Sequence, residues 1–130
     1  MTDRELINRA KSAMRNAYAP YSRFAVGAAL ECEDGSVVTG CNVENSALGC
    51  TICAERTAIV KAVSAGYRRF RRIAIYSEGL DYCVPCGTCR QVMNEFSPTM
   101  EILCAKSDGR YVSYRLSDLL PMAFGKSFLE

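Results

Sequence analysis

Three cysteines stand three residues apart in YCVPCGTCRQ, residues 82–91: Cys83, Cys86 and Cys89. Upstream, Cys50 and Cys53 have the same spacing, and Glu55 follows Cys53 by two residues. Thiolates at such intervals bind zinc or iron, and a carboxylate beside a metal site can move protons. The chain contains no histidine. That removes Ser-His-Asp and Cys-His nucleophile systems and every histidine-containing metal site. A metal must then be held by thiolates, carboxylates or backbone, and a proton shuttle working near neutral pH must be a tuned Glu, Asp, Lys, Tyr or Cys.

The cysteines can be grouped in three ways. Cys83, Cys86 and Cys89 look like the start of an iron–sulfur run, but that pattern wants a fourth cysteine close by. Residue 93 is Met, and Cys104 falls in a predicted strand. Cys50, Cys53, Cys86 and Cys89 would make a four-sulfur structural zinc site, yet each pair runs into a helix rather than a tight knuckle. Cys53, Cys86 and Cys89 alone leave a fourth position open, as catalytic zinc requires. Two features favour this third grouping. Cys53 opens one predicted helix and Cys86/Cys89 another, and helix N-termini stabilise thiolates through unpaired N–H groups and the dipole. Glu55 lies in a first turn, where it can serve such a centre without being a ligand.

These residues need a scaffold, and the hydrophobic periodicity supplies one. Thr2 and Glu5 have capping-box spacing, and apolar residues at helical intervals predict a first helix over 3–18. Residues 24–32 and 37–43 form a predicted hairpin around EDGS. A second helix runs over 53–66 with Gly66 as its stop, then a strand over 71–77. Pro85 precedes a third helix ended by Pro98, and two further strands (100–106 and 110–115) flank a DG turn. So short a link makes those last two strands antiparallel. SDLLPMAF, 117–124, gives a short helix or turn. The expected fold is a three-layer α/β/α sandwich with a mixed five-stranded sheet, built as a single domain over residues 1–130.

Composition narrows the classes further. Apolar residues make up 49% and charged residues 23% of 130 residues, as in ordinary globular proteins. The formal net charge of +2 gives no general attraction to nucleic acid or anionic membranes. MTDRELINRAK is charged and lacks the apolar core of a secretory signal, so the expected location is cytoplasmic. In that compartment eight cysteines are expected as thiols or ligands rather than disulfides. Cys32, Cys41 and Cys104 fall in predicted strands and are expected to be small buried hydrophobes, with Cys50 and Cys83 in loops beside the ligands. The run YRRFRRIAI, 67–75, is the one basic cluster and reads as a solvated loop before a strand. It also motivates the main rival reading, a contact with RNA or single-stranded DNA.

Taken together, YAPYSRFAVGAAL (18–30), GCNVENSA (40–47), CAERTA (53–58), PCGTCRQV (85–92) and LLPMAF (119–124) resemble the small homotetrameric cytidine deaminases, in order and separation. The resemblance implies one Zn²⁺ per subunit held by Cys53, Cys86 and Cys89, with Glu55 as the proton shuttle. It implies a nucleoside pocket using Phe24, Asn42, Glu44 and Ala54, and a Phe124 that packs on the base in a neighbouring subunit. Zinc and three thiolates sum to −1, and Arg56 is expected to offset that charge by hydrogen bonding the sulfurs. Nucleic-acid deaminases of the superfamily typically insert a helix between the fourth and fifth strands. The short link here therefore implies a free-nucleoside enzyme with no nucleic-acid or membrane partner. A non-catalytic four-cysteine zinc domain is the remaining alternative. Leu48 departs from the family's usual aromatic residue, and Thr88 from its commoner alanine.

Overall fold

The computed structural model describes Met1–Glu130. Helix α1 (Asp3–Met14) leads into the hairpin β1 (Val26–Cys32) and β2 (Val37–Cys41). There follow α2 (Ala54–Ser64), β3 (Phe70–Ser77), α3 (Gly87–Phe96), β4 (Glu101–Ala105), β5 (Tyr111–Arg115) and a short α4 (Leu116–Leu119). The sheet order is β2-β1-β3-β4-β5, and every pair is antiparallel except β3 with β4. The parallel pair is joined through α3, the long crossover that parallel strands require.

The central strands are buried on both faces, so they read as continuous apolar runs. Alternate residues go to opposite sides, as the two-residue period of a strand demands. Ala28, Leu30, Ile73, Ile75, Ile102 and Cys104 pack with α2 and α3 residues such as Ala58, Ile59 and Met93. Ala29, Ala74, Tyr76, Leu103 and Ala105 pack instead with Leu6, Ile7 and Ala10 of α1. The result is the expected α/β/α sandwich.

Small residues let the helices approach closely. A Cβ on Gly27 would lie 2.0 Å from the carbonyl oxygen of Ala10 and 2.6 Å from the Met14 nitrogen. One on Gly40 would lie 2.5 Å from the Ala58 nitrogen and 2.7 Å from the Ala54 oxygen. Backbone cannot step aside as a flexible side chain can, so Gly27→Ala is expected to cost on the order of 3 kcal/mol. A thermal melt should show Tm lower by roughly 10 °C or more; an unchanged Tm would mean that α1 docks less tightly than described.

The structure corrects several expected boundaries. The first helix ends at Met14, not at 18, because the Tyr18 N–H is taken by the carbonyl of Asn42 and Tyr18 bridges to Val43. The hairpin strands are Val26–Cys32 and Val37–Cys41, shorter than 24–32 and 37–43. Cys41 is half-buried rather than buried, since β2 is an edge strand. The basic run is a solvated loop only over 67–69, where Arg68 and Arg69 are exposed. Strand β3 begins at Phe70, which is buried, and Arg72 is held by the carboxylates of Glu31 (2.9 Å) and Asp3.

Topology then gathers the chemistry. Strand β1 runs antiparallel to both neighbours, so β2 and β3 point the same way. Gly27 pairs with Cys41 and Val26 with Ser77, which puts the start of β1 and the ends of β2 and β3 at one end of the sheet. Helices α2 and α3 both begin from loops leaving that end.

Candidate active site

Cys53 and Cys86 are the N-cap residues of α2 and α3, and Cys89 sits in the first turn of α3. Both caps have extended backbone, and neither sulfur caps its own helix. The sulfurs face each other instead. Cys53 Sγ lies 3.9 Å from Cys86 Sγ, and Cys86 Sγ lies 3.5 Å from Cys89 Sγ. All three sulfurs fall within 4.8 Å of one another. Tetrahedral zinc with Zn–S bonds of about 2.3 Å requires sulfurs roughly 3.8 Å apart, so this donor set lies within about 1 Å of what the ion needs.

Neither Cys50 nor Cys83 joins the trio. Cys50 is exposed in a 3-10 turn, Leu48–Cys50. Burial pushes the Cys83 thiol up to about 11, which keeps it protonated at neutral pH. The four-sulfur and Cys83-containing groupings therefore have no geometric basis. Cys104 is likewise pushed up to about 12 by burial, as a core thiol.

Charge around the trio is arranged for thiolate. Arg56 Nη2 donates to Cys53 Sγ at 3.4 Å, and its Nε is buried with no partner of its own. The Cys53 thiol is lowered, first by the hydrogen bond from Cys89 and then by Arg56, while Cys89 is raised because it keeps the shared proton. Glu55, one helical position before Arg56, is 4% exposed. Burial, reinforced by the Cys53 charge, pushes its carboxyl up to about 7.

Beside the trio lies a cavity of about 300 Å³ with a largely apolar lining. Phe24, Asn42 and Glu44 line it from the loops flanking the hairpin, and Cys53, Ala54 and Glu55 from the start of α2. Cys83, Val84 and Cys86 close the third side. Larger depressions exist, including one of about 660 Å³ near Glu101 and Arg115, but none holds the clustered metal ligands.

The sequence-derived residues thus come together, with one exception. Phe124 is 55% exposed and stacks on Phe128 (centroids 5.1 Å apart), outside the cavity of its own chain. Its carbonyl is held by Gln91 Nε2 at 2.8 Å and Asn94 Nδ2 at 3.3 Å. Asn42 also carries backbone duties: Oδ1 accepts from the Val26 N–H (2.9 Å) and Nδ2 donates to the Phe24 carbonyl (2.8 Å). Sequence reasoning missed Ser22, Val26, Thr51 and Val84 in the lining, and Arg90, whose Nε binds the Pro85 carbonyl at 2.9 Å behind the ligand loop. Ser22 and Thr51 sit in loops where no periodicity marks them.

Fold and site together define a class: an α/β/α sandwich whose thiolate metal centre opens onto a cavity beside a buried carboxylate. The family model described as "Cytidine and deoxycytidylate deaminase zinc-binding region" matches residues 1–106. The chain belongs to this family of zinc-binding deaminases. It is 46% identical over 127 residues to a cytidine deaminase of Sporosarcina psychrophila, covering 97% of this chain and 93% of that one. It is 47% identical over 116 residues to a cytidine deaminase of Mycobacterium tuberculosis, covering 89% and 84%. The crystal structure of a cytidine deaminase from Burkholderia pseudomallei superposes with a TM-score of 0.93 at 50% identity, covering 95% of this chain and all of that one.

Proposed function

We propose that this chain catalyses the zinc-dependent hydrolytic deamination of free cytidine and 2′-deoxycytidine, giving uridine or 2′-deoxyuridine and ammonia, as in pyrimidine salvage. One observation carries this reading: the buried Glu55 stands beside three convergent thiols at the floor of a nucleoside-sized cavity. Cys53, Cys86 and Cys89 would hold one Zn²⁺ per subunit, and the bound ion supplies the Lewis acidity that makes water nucleophilic at neutral pH. Glu55 takes one proton from the attacking water and delivers it to ring N3, then takes the second from the new C4 hydroxyl and passes it to the departing amine. A carboxyl near pH 7 is matched to both directions of transfer. Arg56 holds the thiolates and offsets their charge. Asn42 and Glu44 bind sugar hydroxyls, Ala54 offers backbone to the base, and Phe24 covers one wall.

The family spans nucleoside and nucleotide substrates, and cavity charge favours the former. No lysine or arginine lines it, while Glu44 and Glu55 do. Glu44 is held ionised: its carboxyl is lowered by the Ser22 hydroxyl and backbone N–H. A substrate phosphate would meet like charge with no cation to receive it. Cytidine should therefore be deaminated with kcat/KM at least roughly a hundredfold above cytidine 5′-monophosphate or single-stranded oligonucleotides. Ammonia release from each substrate, with zinc per chain measured alongside, tests this; equal rates on the phosphorylated substrates would overturn the nucleoside reading.

Residues 1–130 would act as a single catalytic domain, located in the cytoplasm; no helix is long and apolar enough to cross a membrane. A homotetramer fits the exposed Phe124, Leu80 and Leu48, which a neighbouring subunit would cover. Full activity in monomers produced by dilution would contradict it.

A further inference from the structure

We propose that Ser22 is a positioning residue of this site: its hydroxyl ties the Glu44 carboxylate to the backbone of Phe24, presetting the sugar-binding group and the aromatic wall as one unit. The inference rests on the nucleoside reading above. It starts from a loop that no periodicity explains.

Between α1 and β1 the chain makes a tight excursion over residues 19–24. The Arg23 N–H bonds the Ala19 carbonyl at 3.0 Å, and Arg23 itself has φ +59°, the left-handed region that a non-glycine residue enters only under constraint. The constraint comes from Glu44, in the loop after β2. Its Oε1 accepts from the backbone N–H groups of Tyr21 (2.9 Å) and Ser22 (3.1 Å), and its Oε2 accepts from the Ser22 hydroxyl. The same hydroxyl oxygen accepts from the Phe24 N–H at 3.0 Å. A hydroxyl has one proton and two lone pairs. Here the proton goes to the carboxylate and one lone pair to Phe24, so Ser22 is committed on both sides.

Two consequences follow. Glu44 is anchored by three donors and still has one lone pair, on Oε2, free for a sugar hydroxyl, so it need not be ordered when substrate arrives. Phe24 is fixed at both ends of its backbone, by Ser22 at its N–H and by Asn42 at its carbonyl. Ordering before binding lowers the entropy cost of association. Removing the hydroxyl should therefore weaken substrate binding while leaving Glu55 and the thiols, on α2 and α3, undisturbed.

The test is steady-state kinetics of Ser22→Ala and Ser22→Thr with cytidine, 2′-deoxycytidine and 3′-deoxycytidine, with zinc content and Tm followed in parallel. For Ser22→Ala, KM for cytidine should rise about tenfold, the effect of one hydrogen bond to a charged group, with kcat within about twofold. Zinc per chain and Tm should hold, and Ser22→Thr should recover most of the loss. The penalty should be smallest for the one deoxy analogue that lacks the hydroxyl from which Glu44 accepts, leaving only the part due to Phe24. An equal penalty on all three nucleosides, or a kcat loss accompanied by zinc loss, would show general loosening and overturn the proposal. An unchanged KM would overturn it too. The wild type is measured in the same series: an inactive wild type sinks the nucleoside reading and this inference together, whereas an active wild type with an indifferent Ser22→Ala sinks this inference alone.

Discussion

Glu55→Ala is expected to retain fold and zinc and to lose turnover of cytidine by about a thousandfold or more, the scale of a lost general acid–base group. Glu55 is not among the three sulfurs that fit the metal, so its removal leaves the donor set intact. It is almost fully buried, its carboxyl stands near pH 7, and the only other carboxylate lining the cavity, Glu44, is tied to Tyr21 and Ser22. No histidine exists to take over the proton. Glu55→Gln keeps the shape and should be nearly as inactive, which separates proton transfer from packing. Activity within tenfold of wild type in either variant would sink the mechanism. A second consequence concerns stability without metal. A carboxyl raised on folding contributes most below its ordinary value of 4.5 and loses that contribution as pH rises through about 7. Metal-free wild type should therefore lose Tm over this window relative to metal-free Glu55→Gln.

Cys53→Ala is expected to abolish both stoichiometric zinc binding and activity, whereas Cys50→Ser and Cys83→Ser should each keep about one zinc per chain. Two thiols remain after Cys53→Ala, both on α3, and two donors do not hold zinc against water and buffer. The change also strips Arg56 of its 3.4 Å partner and leaves a half-buried guanidinium whose buried Nε is already without an acceptor. Destabilisation should accompany metal loss, because a charge left buried after its partner is removed is costly. Cys50 shares the sequence spacing of a ligand but is exposed on a 3-10 turn outside the cluster. Metal analysis of the purified variants decides the matter: zinc loss in Cys50→Ser would restore the four-sulfur structural site.

Much of the scaffold was legible because local physics agreed with the global fold. The Thr2/Glu5 capping box, the glycines of positive φ at 35, 66 and 109, and the apolar runs of the central strands each marked an element or its end. Expectation failed where a distant partner outbid local preference. Residues 15–18 continue a helical pattern, yet Tyr18 pairs with the strand end at Asn42 and Val43. Arg72 belongs to a basic run in sequence, but Asp3 and Glu31 lie far from it along the chain and claim it.

For the site, the sequence by itself determined the kind of chemistry. With no histidine, a metal had to be held by thiolates, carboxylates or backbone, and Cys53, Glu55, Cys86 and Cys89 stand where helices start and N–H groups are unpaired. Tertiary structure decided which thiols meet. Cys53 and Cys86 are 33 residues apart, and only a sheet in which β2 and β3 point the same way brings the starts of α2 and α3 together. The same topology leaves Cys50 outside the trio and sets Cys83 in the cavity wall with its proton kept by burial. Ser22 is joined to Glu44 for the same reason: a serine in a loop has no periodicity, and its role arises from the partners that the fold places within reach of its one proton.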